Sequence, residues 1–266
     1  MTLAQALAHL GLGAAFAVAV LFGLWLLQLR TRNATVVDVA WAANLGALAV
    51  WYAVAGSGLP QRRLLMATAV LAATWRLALH LWLDRARTGV EDGRYAVLRE
   101  RWGRSAPLKF LYVYLIQALL DAMLSLPFLL AAGSTAPLGL FDGLACALWG
   151  AGWLGERAAD RQLARFKADP LNRGRTCRAG LWRFSRHPNY FFQWLLWCSY
   201  ALFAASAPWG WLAWSAPLAM LVLILFVSGI PPTEAQALRS RGDDYRAYQR
   251  ETSAFVPWFP RSQALR

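Results

Sequence analysis

The segment SRHPNY, residues 185–190, gathers polar side chains within an otherwise apolar chain. Arg186 and His187 offer cationic or hydrogen-bonding groups that suit a phosphate. Asn189 can donate and accept at once, as recognition of a carboxamide requires. The residue types therefore predict a binding site for an anionic cofactor.

The same segment also predicts a helix start. Pro188 needs no backbone donor at the first helical position, and Ser185 is an expected cap beside it. The first turn of such a helix presents unpaired N–H groups and the positive end of a dipole. A capped helix start with an interfacial arginine is the alternative to a cofactor site.

Further polar residues interrupt the apolar runs. Asp38 and Asn44 lie within VVDVAWAANLG, Arg76 within ATWRLALHLW, and Asp121 near the middle of a later run. Charged groups at membrane depth are costly, so they usually face a partner or a wet cavity. Asp38 and Arg76 are therefore interpreted as functional residues, and the alternative is that they form an ion pair with each other. Asp121 is interpreted first as a structural residue that forms a hydrogen bond between helices, and a functional role is its alternative.

The elements that position these residues are apolar runs of membrane-spanning length. A spanning helix needs about 20 mostly apolar residues. The sequence predicts an all-α, polytopic bundle of seven such helices forming one integral-membrane domain over 1–266, with substrate-side helices in 1–132 and a cofactor-binding half in 133–266. The runs are 8–29, 36–56, 62–83, 108–132, 137–156, 189–207 and 209–230.

The basic residues predict the orientation, because cytoplasmic loops carry an excess of Lys and Arg. With seven spans, 24 basic residues fall on one side and only Arg62 and Arg63 on the other. The N-terminus is therefore expected outside and the C-terminus in the cytoplasm. The dominance of Arg in an Ala-rich chain suggests a bacterial protein, hence one of the inner membrane.

The net charge of +13 is explained by this asymmetry and by attraction to anionic lipid, so nucleic acid is not an expected partner. The expected partners are membrane lipids and a lipophilic small molecule. The three cysteines, Cys146, Cys177 and Cys198, lack the spacing of a metal site or a disulfide framework. No metal is expected.

Three segments carry a resemblance to a known family: ADRQLARFKADPLNRGR, GLWRFSRHPNYFFQW and EAQALRSRGDDYRAYQRETSAFVPWFP. Together they resemble the C-terminal region of the steroid 5α-reductase superfamily, closest to its bacterial branch. NATVVDVAW and EDGRY, in the N-terminal half, also fit that branch. The resemblance implies a seven-helix membrane enzyme that uses NADPH to reduce a carbon–carbon double bond conjugated to a carbonyl.

The resemblance also implies a cofactor site. Asp160 occupies the position of a family Asp on the extended fifth helix, whereas Glu156 stands where the family has Asn. Gln193 replaces a family Glu, and the family's cofactor-binding Tyr falls at Arg241. The cofactor-binding residues that we expect are Arg76, Arg94, Tyr95, Glu156, Asp160, Lys167, Arg175, Arg186, His187, Asn189, Tyr190, Gln193, Tyr245 and Tyr248.

The groups that would act on the substrate differ from the family pattern. The steroid enzymes hold the substrate carbonyl with a Glu in span two and a Tyr in span three. Here the second span has only Asp38 as an acid, and the third has no Tyr. We therefore expect a neutral Asp38 to stabilise the developing enolate oxygen while hydride reaches the β-carbon, with Asn44 or Asp121 in support.

Two other functions remain open. Membrane methyltransferases that act on isoprenylated cysteine or phospholipid also carry an RHP-type sequence before a helix, then a Glu and a Tyr-x-x-Tyr-like tail. RHPNY, Glu234 and the pair Tyr245 and Tyr248 fit that outline, with S-adenosylmethionine as cofactor. A non-catalytic lipid-binding protein is the third alternative.

Overall fold

The computed structural model describes residues 1–261, and the regular structure in that part of the chain is entirely helical. This confirms the predicted all-α class. The α-helices are α1 (Leu3–Thr31), α2 (Val36–Ala55), α3 (Pro60–Asp84), α4 (Gly93–Trp102), α5 (Ala106–Leu124), α6 (Leu126–Gly133), α7 (Leu140–Ala168), α8 (Pro188–Phe203), α9 (Ser215–Val222) and α10 (Ile230–Glu251).

Several of these helices are long and apolar enough to cross a membrane, as expected of an integral membrane protein. Within residues 1–261 five stretches qualify: Leu3–Thr31, Val36–Ala55, Pro60–Thr88, Gly93–Gly133 and Gly210–Glu251. The predicted fifth and sixth spans correspond to α7 and α8 and are not among the five, so the count of seven stays a prediction.

The last of these stretches joins an apolar part to a polar one. Its apolar part ends with a π-helical turn, Leu223–Val227. α10 follows and carries eight charged side chains in 22 residues. Because charged groups in hydrocarbon are costly, α10 lies outside the membrane-spanning part.

The chain divides into two compact units, the first of which contains Met1–Asp142 and Tyr200–Ala216. In this unit α2 packs along α3, and α1 packs along α5. Gly13 of α1 lies so close to Tyr52 of α2 that a Cβ there would collide with the tyrosine hydroxyl. Small residues at such contacts let membrane helices approach closely, which is the usual basis of their packing.

A buried arginine joins α3 to the connection between α6 and α7 in this unit. Arg62 is fully buried; its Nε donates to Asp142 Oδ1 at 2.7 Å and its Nη2 to Asp142 Oδ2 at 2.8 Å. Nη1 donates to Ser134 Oγ (3.0 Å) and Ala136 O (2.8 Å), and Nη2 also donates to Pro137 O (3.0 Å). All five guanidinium N–H groups therefore have an acceptor.

The second unit contains Gly143–Ser199 and the chain from Pro217 onward. The predicted fifth helix extends beyond its apolar run, because α7 continues without a break to Ala168. Gly155 of α7 lies directly against the ring of Phe192 of α8, where a Cβ would collide with that ring. This close approach fixes α8, which begins at Pro188, against α7.

The loop after α7 folds back onto that helix and onto α10. The Trp182 indole donates to Ala159 O at 2.9 Å, and Leu181 N donates to Gln162 Oε1 at 2.8 Å. From α10, the buried Tyr248 hydroxyl donates to the carbonyl oxygen of Trp182. The residues just before SRHPNY are therefore held between two helices by hydrogen bonds.

Candidate functional site

Glu234 of α10 is the centre of a cluster in the second unit. One carboxylate oxygen, Oε1, accepts from Arg186 Nε at 2.6 Å and from the Tyr245 hydroxyl at 3.2 Å. It also lies 3.3 Å from His187 Nε2. The other oxygen, Oε2, accepts from Gln249 Nε2 at 2.7 Å. The carboxylate thereby joins the SRHPNY segment to both ends of α10.

These partners change the acidity of Glu234. Burial raises its pKa, but the hydrogen bonds from His187 and Arg186, the charge of Arg186 and the bond from Gln249 together lower it to about 2. The carboxylate is therefore the stable form at neutral pH, and it neutralises the guanidinium beside it.

Arg186 points inward rather than toward solvent. Besides the bond to Glu234, its Nη1 donates to Gln249 O (3.1 Å) and Thr252 O (2.6 Å). Its backbone N–H donates to Ser253 O at 2.8 Å. This internal role differs from the predicted one, in which Arg186 and His187 offered their charge to a phosphate.

The start of α8 also differs from the predicted cap. Ser185 Oγ accepts from the N–H of His187, which precedes the helix, and donates to Phe255 O at 2.8 Å. Asn189 Oδ1 instead accepts from the N–H of Tyr190 at 3.1 Å. Ser185 therefore fixes the turn before the helix. Because Asn189 accepts from Tyr190 N, the first turn of α8 has fewer unpaired backbone N–H groups for an anion than predicted.

Two predicted cofactor residues on different helices come together in this unit. Asn189 Nδ2 donates to Asp160 Oδ1 at 3.2 Å, which joins α8 to α7. Beside Asn189, the Tyr190 ring stacks on the His187 ring with centroids 5.3 Å apart, and its hydroxyl lies 3.1 Å from Thr233 Oγ1. Asp160, Asn189 and Tyr190 are each half-buried, so they remain partly open to a ligand.

The other predicted residues of this unit take separate places. Glu156 is buried one turn before Asp160 on α7, and Gln193 is half-buried one turn after Asn189 on α8. Two predicted cations, Lys167 and Arg175, lie exposed near the end of α7 and in the loop that follows it.

The two tyrosines predicted to bind cofactor are part of the packing. Tyr245 and Tyr248 are 3% and 2% exposed, and both hydroxyls are used by protein acceptors. The kink that precedes them, at Gly242 with φ of 50°, requires a conformation that glycine adopts readily. Both side chains therefore face inward and make structural contacts, and their part in cofactor binding stays a prediction.

In the first unit Asp38 has three close partners. It accepts from the Tyr95 hydroxyl at 2.6 Å and from Arg94 Nη2 at 2.7 Å, and Arg85 Nη1 lies 3.8 Å away. In this arrangement the Tyr95 hydroxyl is the donor and Asp38 the acceptor, whereas the predicted role has Asp38 donate a proton. That role stays a prediction.

The EDGRY segment is tied to the connection between α1 and α2. Arg99 pairs with Glu91 at 2.7 Å, and Glu91 also accepts from Ala34 N at 2.8 Å. Asp92 N donates to Thr35 Oγ1 at 2.8 Å. Sequence reasoning missed Glu91, Arg99 and Thr35, although the joint presence of NATVVDVAW and EDGRY was a signal that these segments belong together.

Asn44 and Asp121 form a second polar pair in the first unit. Asn44 Nδ2 donates to Asp121 Oδ2 at 3.1 Å, and both residues are buried. Asn44 follows Asp38 by six residues on α2, or about 9 Å of helix rise. The predicted catalytic residues therefore fall into two clusters, not one. Arg76, half-buried on α3, belongs to the same unit.

No group of His, Cys, Asp and Glu side chains within residues 1–261 has the geometry of a metal site.

Comparison with known proteins gives a family and one relative. The family described as "Protein of unknown function (DUF1295)" matches residues 24–252. "Uncharacterized protein C594.04c" of Schizosaccharomyces pombe (strain 972) is 30% identical over an aligned length of 263 residues, and the match covers 88% of this chain and 75% of that protein. No solved structure matches the chain. Because the family match covers most of its length, the chain belongs to the DUF1295 family.

Proposed function

We propose that this protein is a membrane-embedded, NADPH-dependent reductase of a conjugated carbon–carbon double bond in a lipophilic enone. The DUF1295 family includes steroid 5α-reductase-like proteins, which supports this reaction class. The proposal includes seven spans, a cytoplasmic C-terminus and a cofactor site that faces the cytoplasm of a bacterial cell.

The pairing of Asp160 with Asn189 carries the proposal. These residues match cofactor positions of the reductases, lie 29 residues apart in sequence, and meet at 3.2 Å. A half-buried carboxylate and carboxamide suit the hydroxyl and amide groups of a nicotinamide nucleotide. The exposed Lys167 and Arg175 of the same unit provide charge for its phosphates. The donor set therefore fits NADPH.

Tyr95 is our candidate for the group that polarises the substrate carbonyl. NADPH would supply the hydride that adds to the β-carbon. In the structure the Tyr95 hydroxyl donates its only proton to Asp38, which Arg94 in turn holds. On substrate binding this O–H would turn from Asp38 to the carbonyl oxygen as that oxygen gains negative charge, and Arg94 would remain as the partner of Asp38. A proton from water reaching the α-carbon completes the reduction.

A methyltransferase that uses S-adenosylmethionine is the second candidate. The RHP segment, Glu234 and Tyr245 form that family's outline in the sequence, and they converge in the structure. We rank it second because Glu234 is already saturated with protein donors.

Ligand-dependent melting of the purified protein in detergent tests the proposal. A ligand at about 100 times its Kd should stabilise the fold by about 2.7 kcal/mol. We expect this shift with NADPH and not with S-adenosylmethionine. Asp160→Asn should weaken NADPH binding about tenfold or more, as loss of a charged hydrogen-bond acceptor does, whereas the exposed Arg250→Gln should leave it unchanged.

The other outcomes are equally informative. Stabilisation by S-adenosylmethionine alone would replace the reductase by the methyltransferase. If neither compound binds a preparation that melts cooperatively, both enzyme proposals fail and a lipid-binding role takes their place.

A further inference from the structure

A long groove runs between α2 and α3 in the first unit. Its volume is about 830 Å³, and apolar side chains provide most of its lining. Val54, Leu64 and Trp75 line it and are 75%, 69% and 67% exposed. Both helices belong to stretches that can cross a membrane, so these side chains face hydrocarbon. The groove is therefore a place where an acyl chain can lie.

Arg63 gives this apolar groove a cation. It lines the groove near the start of α3, where its Nη1 donates to Ala53 O at 3.0 Å and to Gly56 O, at the end of α2. These bonds satisfy carbonyl groups that a helix end leaves unpaired. The anchored guanidinium is thus held at one end of the groove.

No carboxylate within the described residues 1–261 neutralises the charge of Arg63. Among residues 1–261 its Nε is buried without a hydrogen-bond partner, and no carboxylate pairs with it. The neighbouring Arg62 is different, because Asp142 neutralises it and every N–H has an acceptor. A charged group at membrane depth usually has a partner, so a cation beside the groove without a carboxylate favours an anion as its partner.

We propose that the groove binds an anionic phospholipid, with the phosphate at Arg63 and one acyl chain along α2 and α3. From Arg63 to Trp75 the helix α3 rises about 18 Å, slightly more than half of a hydrocarbon core of about 30 Å. The groove thus has the depth of one leaflet. This site is independent of the proposed reductase, because no residue assigned to that reaction lines it.

Native mass spectrometry of the detergent-solubilised protein tests the proposal, with dioleoyl phosphatidylglycerol as the anionic probe and dioleoyl phosphatidylcholine as the neutral one. The wild type should retain phosphatidylglycerol at least tenfold better. Arg63→Gln should abolish that preference, because a charged hydrogen bond to phosphate is lost. The exposed Arg104→Gln of the same unit should keep it.

A second variant covers the risk that Arg63→Gln does not fold. Ala72 lines the groove and is exposed, so Ala72→Trp fills the groove and leaves the contacts of Arg63 intact. It should reduce retention of phosphatidylglycerol at least tenfold. Equal retention of the two lipids by the wild type, or full retention by Ala72→Trp, would overturn the site. Competition by inorganic phosphate alone would show that the headgroup binds without the chain, and would overturn the acyl-chain part.

Discussion

At the scale of single residues, one carboxylate organises the second unit. Glu234 receives hydrogen bonds from side chains that are separated from it by between 11 and 48 residues in the sequence. The sequence indicated the importance of RHPNY from residue types alone. It could not show that Arg186 turns inward, because hydropathy patterns describe local periodicity and carry no information on which distant acid a cation meets.

The first prediction concerns the acid stability of this cluster. The pKa of Glu234 is lowered in the folded state, from an ordinary 4.5 to about 2. The resulting stabilisation is present above the ordinary value and is lost as pH falls from about 5 toward 2. It amounts to at most about 3 kcal/mol. Glu234→Gln should therefore lower the free energy of unfolding at pH 7 and have a much smaller effect near pH 2.

Denaturation of the detergent-solubilised protein at several pH values measures this difference. Asp243→Asn is the control, because the Asp243 side chain is 94% exposed and should change the unfolding free energy little at any pH. A constant gap between wild type and Glu234→Gln from pH 7 to pH 2 would contradict the assignment.

At the scale of helices, close contact between α7 and α8 positions the candidate cofactor residues. Asp160 and Asn189 belong to these two helices, and their hydrogen bond needs the two axes to lie close together. Gly155 permits this approach, since a larger residue would displace the ring of Phe192. The sequence predicted both helices and the extension of α7. A glycine within an apolar run, however, does not show which side chain of another helix will pack against it.

Two substitutions on the same helix test this contact. Gly155→Ala should lower the melting temperature, because its Cβ would collide with the Phe192 ring and overpacking typically costs about 1–3 kcal/mol. Gly150→Ala is the matched control, since no atom lies within 4 Å of a Cβ at that position. It should be neutral or stabilise the helix by about 0.5–1 kcal/mol. A stabilised Gly155→Ala would show that α7 and α8 are not in close contact there.

At the scale of the whole molecule, the apolar runs and the excess of arginine predicted an all-helical membrane protein. The helices confirm the class, and five stretches between residues 1 and 261 have the length and composition of spans. α7 and α8 remain ambiguous because α7 carries charges through its second half and α8 has only 16 residues. Composition alone therefore does not fix the number of crossings.

Topology distinguishes seven crossings from five. In the seven-span arrangement two crossings separate Lys167 from Arg250, so both residues lie on the cytoplasmic side. In the five-span arrangement only one crossing separates them, so they lie on opposite sides. In a background with the native cysteines replaced by alanine, Lys167→Cys and Arg250→Cys should both resist a membrane-impermeant thiol reagent in intact cells. Both should react after lysis. Labelling of Lys167→Cys alone in intact cells would exclude the seven-span arrangement.

The pairing of Arg186 with residues near the C-terminal end of α10 has a consequence for the order of synthesis. The backbone N–H of Arg186 and the hydroxyl of Ser185 find their acceptors in Ser253 and Phe255, and Phe184 O accepts from Trp258 N. A ribosome makes these partners more than 65 residues after the turn that they complete. The turn before α8 therefore lacks these hydrogen-bond partners until the last of them has been synthesised, whereas the contacts between α7 and α8 can form earlier in translation.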